Sequence, residues 1–242
     1  MKKWLKTILV TSMVVCFSFL MFACGSSNLV DVSGNYNSMT DADVQKFEVC
    51  ETNWTKQQVI SMEFKYSTSF TLDNGESAEM TASGMLDSLG NMSFEAHIIE
   101  NTDTAKTDTK ISEAYLDNTN GLVYLNNKYA KVCEKLSGSY YEGMPEVLSY
   151  DRIQDLFDEG AQNVQIATKG GYTKFKYETQ IESFISGYAY LVFDSNNNFY
   201  GYSSQSTMYI GNGTQTVNFE LRVCDKAVEF PEDLDSYNKL FA

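Results

Sequence analysis

The sequence predicts a β-rich α+β fold, with about ten strands joined mainly by hairpins and two helices. Three observations carry this. Over Met62–Leu72 the residues Met62, Phe64, Tyr66, Phe70 and Leu72 alternate with Glu63, Lys65, Ser67, Ser69 and Thr71, the two-residue period of a half-buried strand. Turn signals such as Asp73-Asn74-Gly75, Asn118-Thr119-Asn120-Gly121 and Gly211-Asn212-Gly213 separate such runs, and short turns between strands imply antiparallel pairing. Only Pro145 and Pro231 occur, and neither interrupts a strand run. One apolar face per strand implies a sheet covered on one side.

Residues 1–23 read as an export signal. Lys2, Lys3 and Lys6 precede an apolar run, Ile8–Phe22, of signal-peptide length. The run ends in Leu20-Met21-Phe22-Ala23-Cys24, followed by polar Gly25-Ser26-Ser27-Asn28. A small residue before a cysteine and a short polar tether resembles a lipobox. Its implied fate is cleavage before Cys24, acylation of that cysteine and anchoring on the extracytoplasmic face of the cell membrane. Met21 and Phe22 depart from the usual pattern. Ordinary secretion and an uncleaved anchor are the rival readings, and the run is short for a full span. Residues 24–39 are expected to be a lipidated cysteine and flexible tether, and 40–242 a single domain.

The elements follow in order. Thr40 caps a helix over Asp41 to about Glu51, with Asp41 and Asp43 in its first turn and Val44, Phe47 and Cys50 as its apolar stripe. After the Met62–Leu72 strand, Glu79–Leu86 and Met92–Ile99 flank Gly90-Asn91. Lys110–Leu116 and Leu122–Leu125 flank Asn118–Gly121, and Lys128–Cys133 is a further short strand. Ser149 caps a second helix carrying Ile153, Leu156 and Phe157, with Gly160 as its stop. Strands resume at Val164–Ala167 and Tyr172–Ile181. Ile181–Ser186 reads as a loop or helical turn. Tyr188–Phe193, Phe199–Ser204, Gln205–Ile210 and Thr214–Cys224 complete the series, and Pro231–Tyr237 is an acidic terminal segment.

Loss of residues 1–23 leaves 219 residues and removes three lysines and no acid, so the formal charge moves from −14 to −17. Nucleic acid and anionic lipid surfaces would repel such a chain. Cys50, Cys133 and Cys224 remain besides Cys24, an odd number with no zinc-type spacing. One disulfide is open to an exported protein. Each cysteine follows a valine, which favours plain buried thiols.

This layout resembles the LolA/LppX-like group of bacterial lipoproteins and lipid carriers over residues 40–235. The resemblance rests on element order, the Cys24 lipobox, Tyr124-Leu125-Asn126-Asn127-Lys128-Tyr129 as a strand–turn–strand step, and Val228-Glu229-Phe230-Pro231-Glu232-Asp233 as a closing strand and proline. It implies a strongly curved antiparallel sheet with two or more helices on its concave face, and carriage of a lipid. It transfers no catalytic residues.

Other constellations point to structure. His97, the single histidine, falls on the strand face opposite Phe94 and Ile98, towards solvent, which leaves nucleophilic catalysis poorly served. Asp151, Asp155, Asp158 and Glu159 could pair for acid–base work or a hard cation, but they fit a solvated helix face better. Asp194-Ser195-Asn196-Asn197-Asn198 faintly follows a calcium loop, yet Phe199 and Gln205 stand where glycine and glutamate are needed. The aromatics that crowd the strands fit an ordinary core, or an apolar face covered incompletely and able to hold an acyl chain. On the second reading Met62, Phe64, Phe94, Phe219 and Leu221 form the ligand face. The expected protein is a membrane-anchored carrier of an apolar ligand, with no catalysis, cofactor or metal. A docking module for another envelope protein is the alternative, and an envelope hydrolase ranks last.

Overall fold

A computed structural model describes residues 28–57, 61–73, 77–102, 105–135, 161–182 and 185–241. The signal segment, Cys24 and the helix expected after Ser149, with Asp151, Asp155, Asp158 and Glu159, lie outside these residues. Among the described residues one α-helix, α1 (Asp41–Lys56), stands among thirteen strands. These are β1 (Asn37–Ser38), β2 (Met62–Leu72), β3 (Ser77–Leu86), β4 (Met92–Thr102), β5 (Ala105–Asp117), β6 (Leu122–Asn127), β7 (Lys131–Lys135), β8 (Ala161–Lys169), β9 (Tyr172–Glu182), β10 (Ile185–Phe193), β11 (Phe199–Tyr209), β12 (Gly213–Val223) and β13 (Asn238–Lys239).

Two ladders, β1-β8-β9-β10-β11-β12-β2 and β13-β7-β6-β5-β4-β3, meet where β2 packs beside β3. The result is one large open sheet, mixed because β13 runs parallel to β7. This corrects the expected strongly curved, wholly antiparallel sheet of about ten strands with two or more helices on a concave face. Two of the extra strands, β1 and β13, pair through two residues each, too few to leave a period in the sequence. They come from the two ends of the chain and pair with the outermost long strands, a common way to blunt a sheet edge. The stretch Ile181–Ser186, read as a loop or helical turn, lies where β9 runs out to Glu182 and β10 begins at Ile185. Phe199–Tyr209 is one strand, not two.

Thr40 does cap α1. Asp43 N–H donates to the Thr40 hydroxyl while Thr40 N–H donates to the Asp43 carboxylate (2.9 Å). The helix runs beyond Glu51 because its last turns find partners. Its stripe is Phe47, Cys50 and Trp54, and Val44 is exposed. Phe47 meets Phe175 edge-on (4.8 Å), and Trp54 stacks on Phe199 (4.2 Å). Gln57 then pairs with the β11 backbone like an added strand residue: its amide donates to the Phe199 carbonyl (3.2 Å) and accepts from Phe199 N–H (3.0 Å). Beneath the helix Phe175, Phe193 and Leu221 are fully buried.

The opposite face of these strands is covered as well, and this is where single-sided alternation misled. Lys174 is 1 % exposed and Glu220 6 %. They lie under Leu29–Ser38, a stretch expected as flexible tether, whose Val30 is 0 % exposed. Gly201 makes room for Val30, since a Cβ there would stand 2.8 Å from its Cγ2. On the six-strand half the chain after β12 crosses the same face. Tyr237 packs edge-on against Tyr124 (5.5 Å), and Phe230 leans on Tyr115 (6.1 Å).

Candidate functional site

The two terminal segments converge where the two ladders join, and between them lies a cleft of about 790 Å³. Leu29 from the N-terminal strap and Lys226, Ala227 and Glu229 from the C-terminal one form its sides. Its other walls are Glu63–Lys65 on β2, Ser83–Met85 on β3, Ser93–Glu95 on β4, and Glu113 and Tyr115 on β5. Gly84 permits the close approach of β2 and β3 here, because a Cβ would stand 2.4 Å from the Phe64 ring.

The N-terminal wall is fixed by buried polar groups. Leu29 N–H donates to Glu220 Oε2 (2.6 Å) and the Leu29 carbonyl accepts from Arg222 (3.4 Å). Lys174 Nζ reaches Asp31 Oδ2 (3.1 Å) and the Ser33 carbonyl (2.8 Å), and Lys169 reaches the Ser33 hydroxyl (2.5 Å). Burial raises the Glu220 pKa, although the Leu29 N–H and the charges of Lys65 and Arg222 oppose it. Hydrogen bonds from the Ser33 side chain and backbone, with Lys174, hold Asp31 far below the usual carboxylate range.

The C-terminal wall hangs on Asp87, which is 2 % exposed. One carboxylate oxygen accepts from Leu89 N–H (2.9 Å) and Asn91 N–H (3.0 Å). The other accepts from the Asn91 amide (3.1 Å) and Val228 N–H (3.2 Å). Burial alone would raise this carboxyl, but the four donors outweigh it and its pKa is lowered. One residue thus closes the β3–β4 hairpin and ties the last segment to it.

Several charges around the cleft are paired. Glu63 is bound by Lys226 and Arg222, which together lower its pKa, Lys226 most. Lys110 bridges Glu95 (3.1 Å) and Glu113 (2.9 Å). Glu113 also accepts from Tyr115 (2.7 Å) and Asn126 (3.0 Å), enough to lower its pKa against the pull of burial. The cleft is therefore amphipathic, with Leu29, Met85 and Ala227 among ion pairs and the hydroxyls of Ser83 and Ser93.

The structure brings all five sequence-predicted residues into one cluster, at different depths. Phe64 and half-buried Phe94 border the cleft through their strands, but Phe64 pairs in register with Leu221 and both rings pack with the core on the α1 side of the sheet. Met62, Phe219 and Leu221, at 9, 4 and 0 % exposure, belong to the packed core. The cleft residues missed, Leu29, Lys226 and Ala227, lie in aperiodic stretches, and Ser83, Glu95 and Glu113 occupy strand positions that read as solvent-facing.

His97 is half-buried, with Nδ1 2.7 Å from Asp108 Oδ1 and Nε2 3.9 Å from Glu95. A register shift between Ala96 and His97 places Ile99, not Ile98, in the core. The Asp194 loop is held by its own hydrogen bonds, the carboxylate accepting from Asn196 N–H (2.8 Å) and Asn198 N–H (2.9 Å). Among the described residues no group of three or more His, Cys, Asp and Glu is placed to hold a metal ion. Cys50, Cys133 and Cys224 are free thiols, and burial pushes that of Cys50 up to about 11. Among the described residues no helix is long and apolar enough to cross a membrane.

No family model matches the chain. A stretch of 91 residues, 35 % of the chain, is 29 % identical to the sensor protein SrrB of Staphylococcus aureus strains NCTC 8325 and N315. It spans 16 % of that protein's length. Among solved structures, LprF from Mycobacterium bovis is similar with a TM-score of 0.39 and 12 % identity, over 81 % of this chain and 99 % of that one. The S-type phycobiliprotein lyase CPES from Guillardia theta follows with a TM-score of 0.18 and 8 % identity, over 78 % and 100 %.

Proposed function

We propose that this chain is a membrane-anchored extracytoplasmic protein that binds an apolar, lipid-like ligand without transforming it. The observation that carries this reading is the cleft between the terminal straps. Its volume is in the range of small-molecule sites. Apolar walls beside paired charges and hydroxyls suit a molecule with a hydrocarbon body and a polar end. The Cys24 lipobox supports anchoring at a membrane, where such molecules are found. Of the expected ligand-face residues Phe64 and Phe94 border the cleft through their strands, and Leu29, Met85 and Ala227 are the apolar side chains this reading puts against the ligand.

Organic extraction and mass spectrometry of purified residues 25–242, freed of the anchor, test it. A stoichiometric co-purified lipid is the expected result. Repeated absence of lipid, with no binding of an apolar fluorescent probe, would overturn it. The second reading, a docking module for another envelope protein, draws on the tight burial of Met62, Phe219 and Leu221, which are already packed against protein.

A further inference from the structure

We infer that the strap-bearing face of the sheet is the face turned to the membrane, so that the cleft opens toward the phospholipid surface. The inference rests on the anchoring reading of Cys24. Its first ground is chain length. Leu29 is pinned to Glu220 and Arg222 and lines the cleft. Only residues 25–28 separate it from Cys24. Those five Cα steps reach at most about 18 Å. An anchored Cys24 therefore holds this end of the strap close to the lipid headgroups, and the face carrying α1 lies on the other side of the sheet.

The second ground is charge. The mature chain is strongly acidic, and an anionic membrane repels acidic surfaces within a Debye length, about 8 Å at physiological salt. Along the N-terminal strap the sheet carries several basic groups. Arg222 meets the Leu29 carbonyl, Lys174 meets Asp31 and the Ser33 carbonyl, Lys169 meets the Ser33 hydroxyl, and Lys176 lies over the Tyr36 ring (6.0 Å). Of the acids on this face Asp31, Glu63, Glu95, Glu113 and Asp233 are ion-paired, and the C-terminal segment adds Asp225, Glu229, Glu232 and Asp235, so the basic character belongs to the N-terminal strap. The outward side of α1 carries Asp41, Asp43, Glu48 and Glu51 against Lys46 and Lys56. The tether thus selects this face, the basic groups sit at the strap end that it holds, and a lipid can pass between bilayer and cleft without crossing the sheet.

The test uses the full acylated chain in vesicles of phosphatidylcholine and phosphatidylglycerol with nitroxide-labelled headgroups, in a Cys224→Ser background. A fluorophore is attached at Lys169→Cys or Asp225→Cys on the strap face, or at Val44→Cys on α1. Emission of Trp54, the one tryptophan of the mature chain, reports the fold of each variant. Quenching at both strap-face positions at least threefold above that at Val44 is the expected result. Equal quenching, or stronger quenching at Val44, would overturn the orientation while leaving anchoring intact. Flotation separates the two: if the wild-type chain floats with vesicles no better than Cys24→Ser, the anchoring reading fails and this inference with it.

Discussion

The seven-strand and six-strand halves of the sheet share a hairpin plan and differ in what closes them. Under α1 the first half buries a continuous aromatic core, with Phe175 and Phe193 at 0 % exposure and Tyr177 and Leu191 at 1 %. The far end of the second half holds a satellite cluster of Tyr124, Cys133 and Tyr237, closed by a two-residue strand. A helix with a full apolar stripe excludes water from the face it covers. A strap fixed at separated points leaves a gap between its attachments. The difference teaches that stability is concentrated beneath α1, while the accessible space lies where coverage passes from one strap to the other.

The largest expected effect follows from that contrast. Phe193→Ala should cost about 3–5 kcal/mol in urea unfolding, as for a fully buried aromatic. Tyr237→Ala, at the far end, should cost clearly less. Equal losses would break the comparison.

Asp87→Asn comes next. An amide nitrogen replaces one acceptor oxygen among four N–H donors, and the expected loss at pH 7 is about 1–3 kcal/mol. Because the Asp87 pKa is lowered on folding, its contribution is present above the unfolded carboxylate value of about 3.9 and is lost as pH falls through the folded value. The gap between wild type and variant should therefore close in acid, as followed by unfolding at stepped pH. A gap constant with pH would contradict this.

Asp31→Ala leaves Lys174 buried with the Ser33 carbonyl. The expected cost is about 1–2 kcal/mol, below that of a fully buried pair because Asp31 faces water. Faster proteolytic cutting of residues 28–38 should accompany it, and unchanged cutting would show that the other strap contacts hold it without Asp31.

Glu220→Gln is the smallest effect and has the opposite pH sense. A carboxyl whose pKa is raised on folding stabilises below its unfolded value and loses that stabilisation as pH rises through the folded one. Glutamine keeps an acceptor for Leu29 N–H. It should be neutral or gain less than about 1 kcal/mol at pH 7, with no gain at pH 4. A clear loss at pH 7 would show that the charge itself is needed.

Much of the sheet was legible because its long strands carry their own period. Met62–Leu72 is read to both ends, and Thr214–Cys224 differs from β12 by one residue at each end. The helix start was legible in Thr40 and Asp43, but its end was not, since Trp54 and Gln57 continue the chain by contacts to Phe199, more than 140 residues away. The strap left no local signal. Leu29, Val30 and Val32 show no strand or helix period in a mostly polar stretch, and the place of Val30 depends on Gly201 and on partners such as Glu220, 191 positions from Leu29. For the candidate site, Phe64 and Phe94 were legible as apolar strand residues. The same alternation could not separate them from Phe219 and Leu221, because depth within a cluster is set by what covers it.

The central claim is that the cleft between the straps takes an apolar ligand, and titration of N-phenyl-1-naphthylamine into wild type and Met85→Glu tests it most directly. Met85 is a half-buried wall residue, and a carboxylate there should be poorly compatible with a hydrocarbon guest. The account predicts one saturable probe site per wild-type chain and at least tenfold weaker binding in the variant, with Trp54 emission unchanged. Equal binding by both chains, or none by wild type, would contradict it.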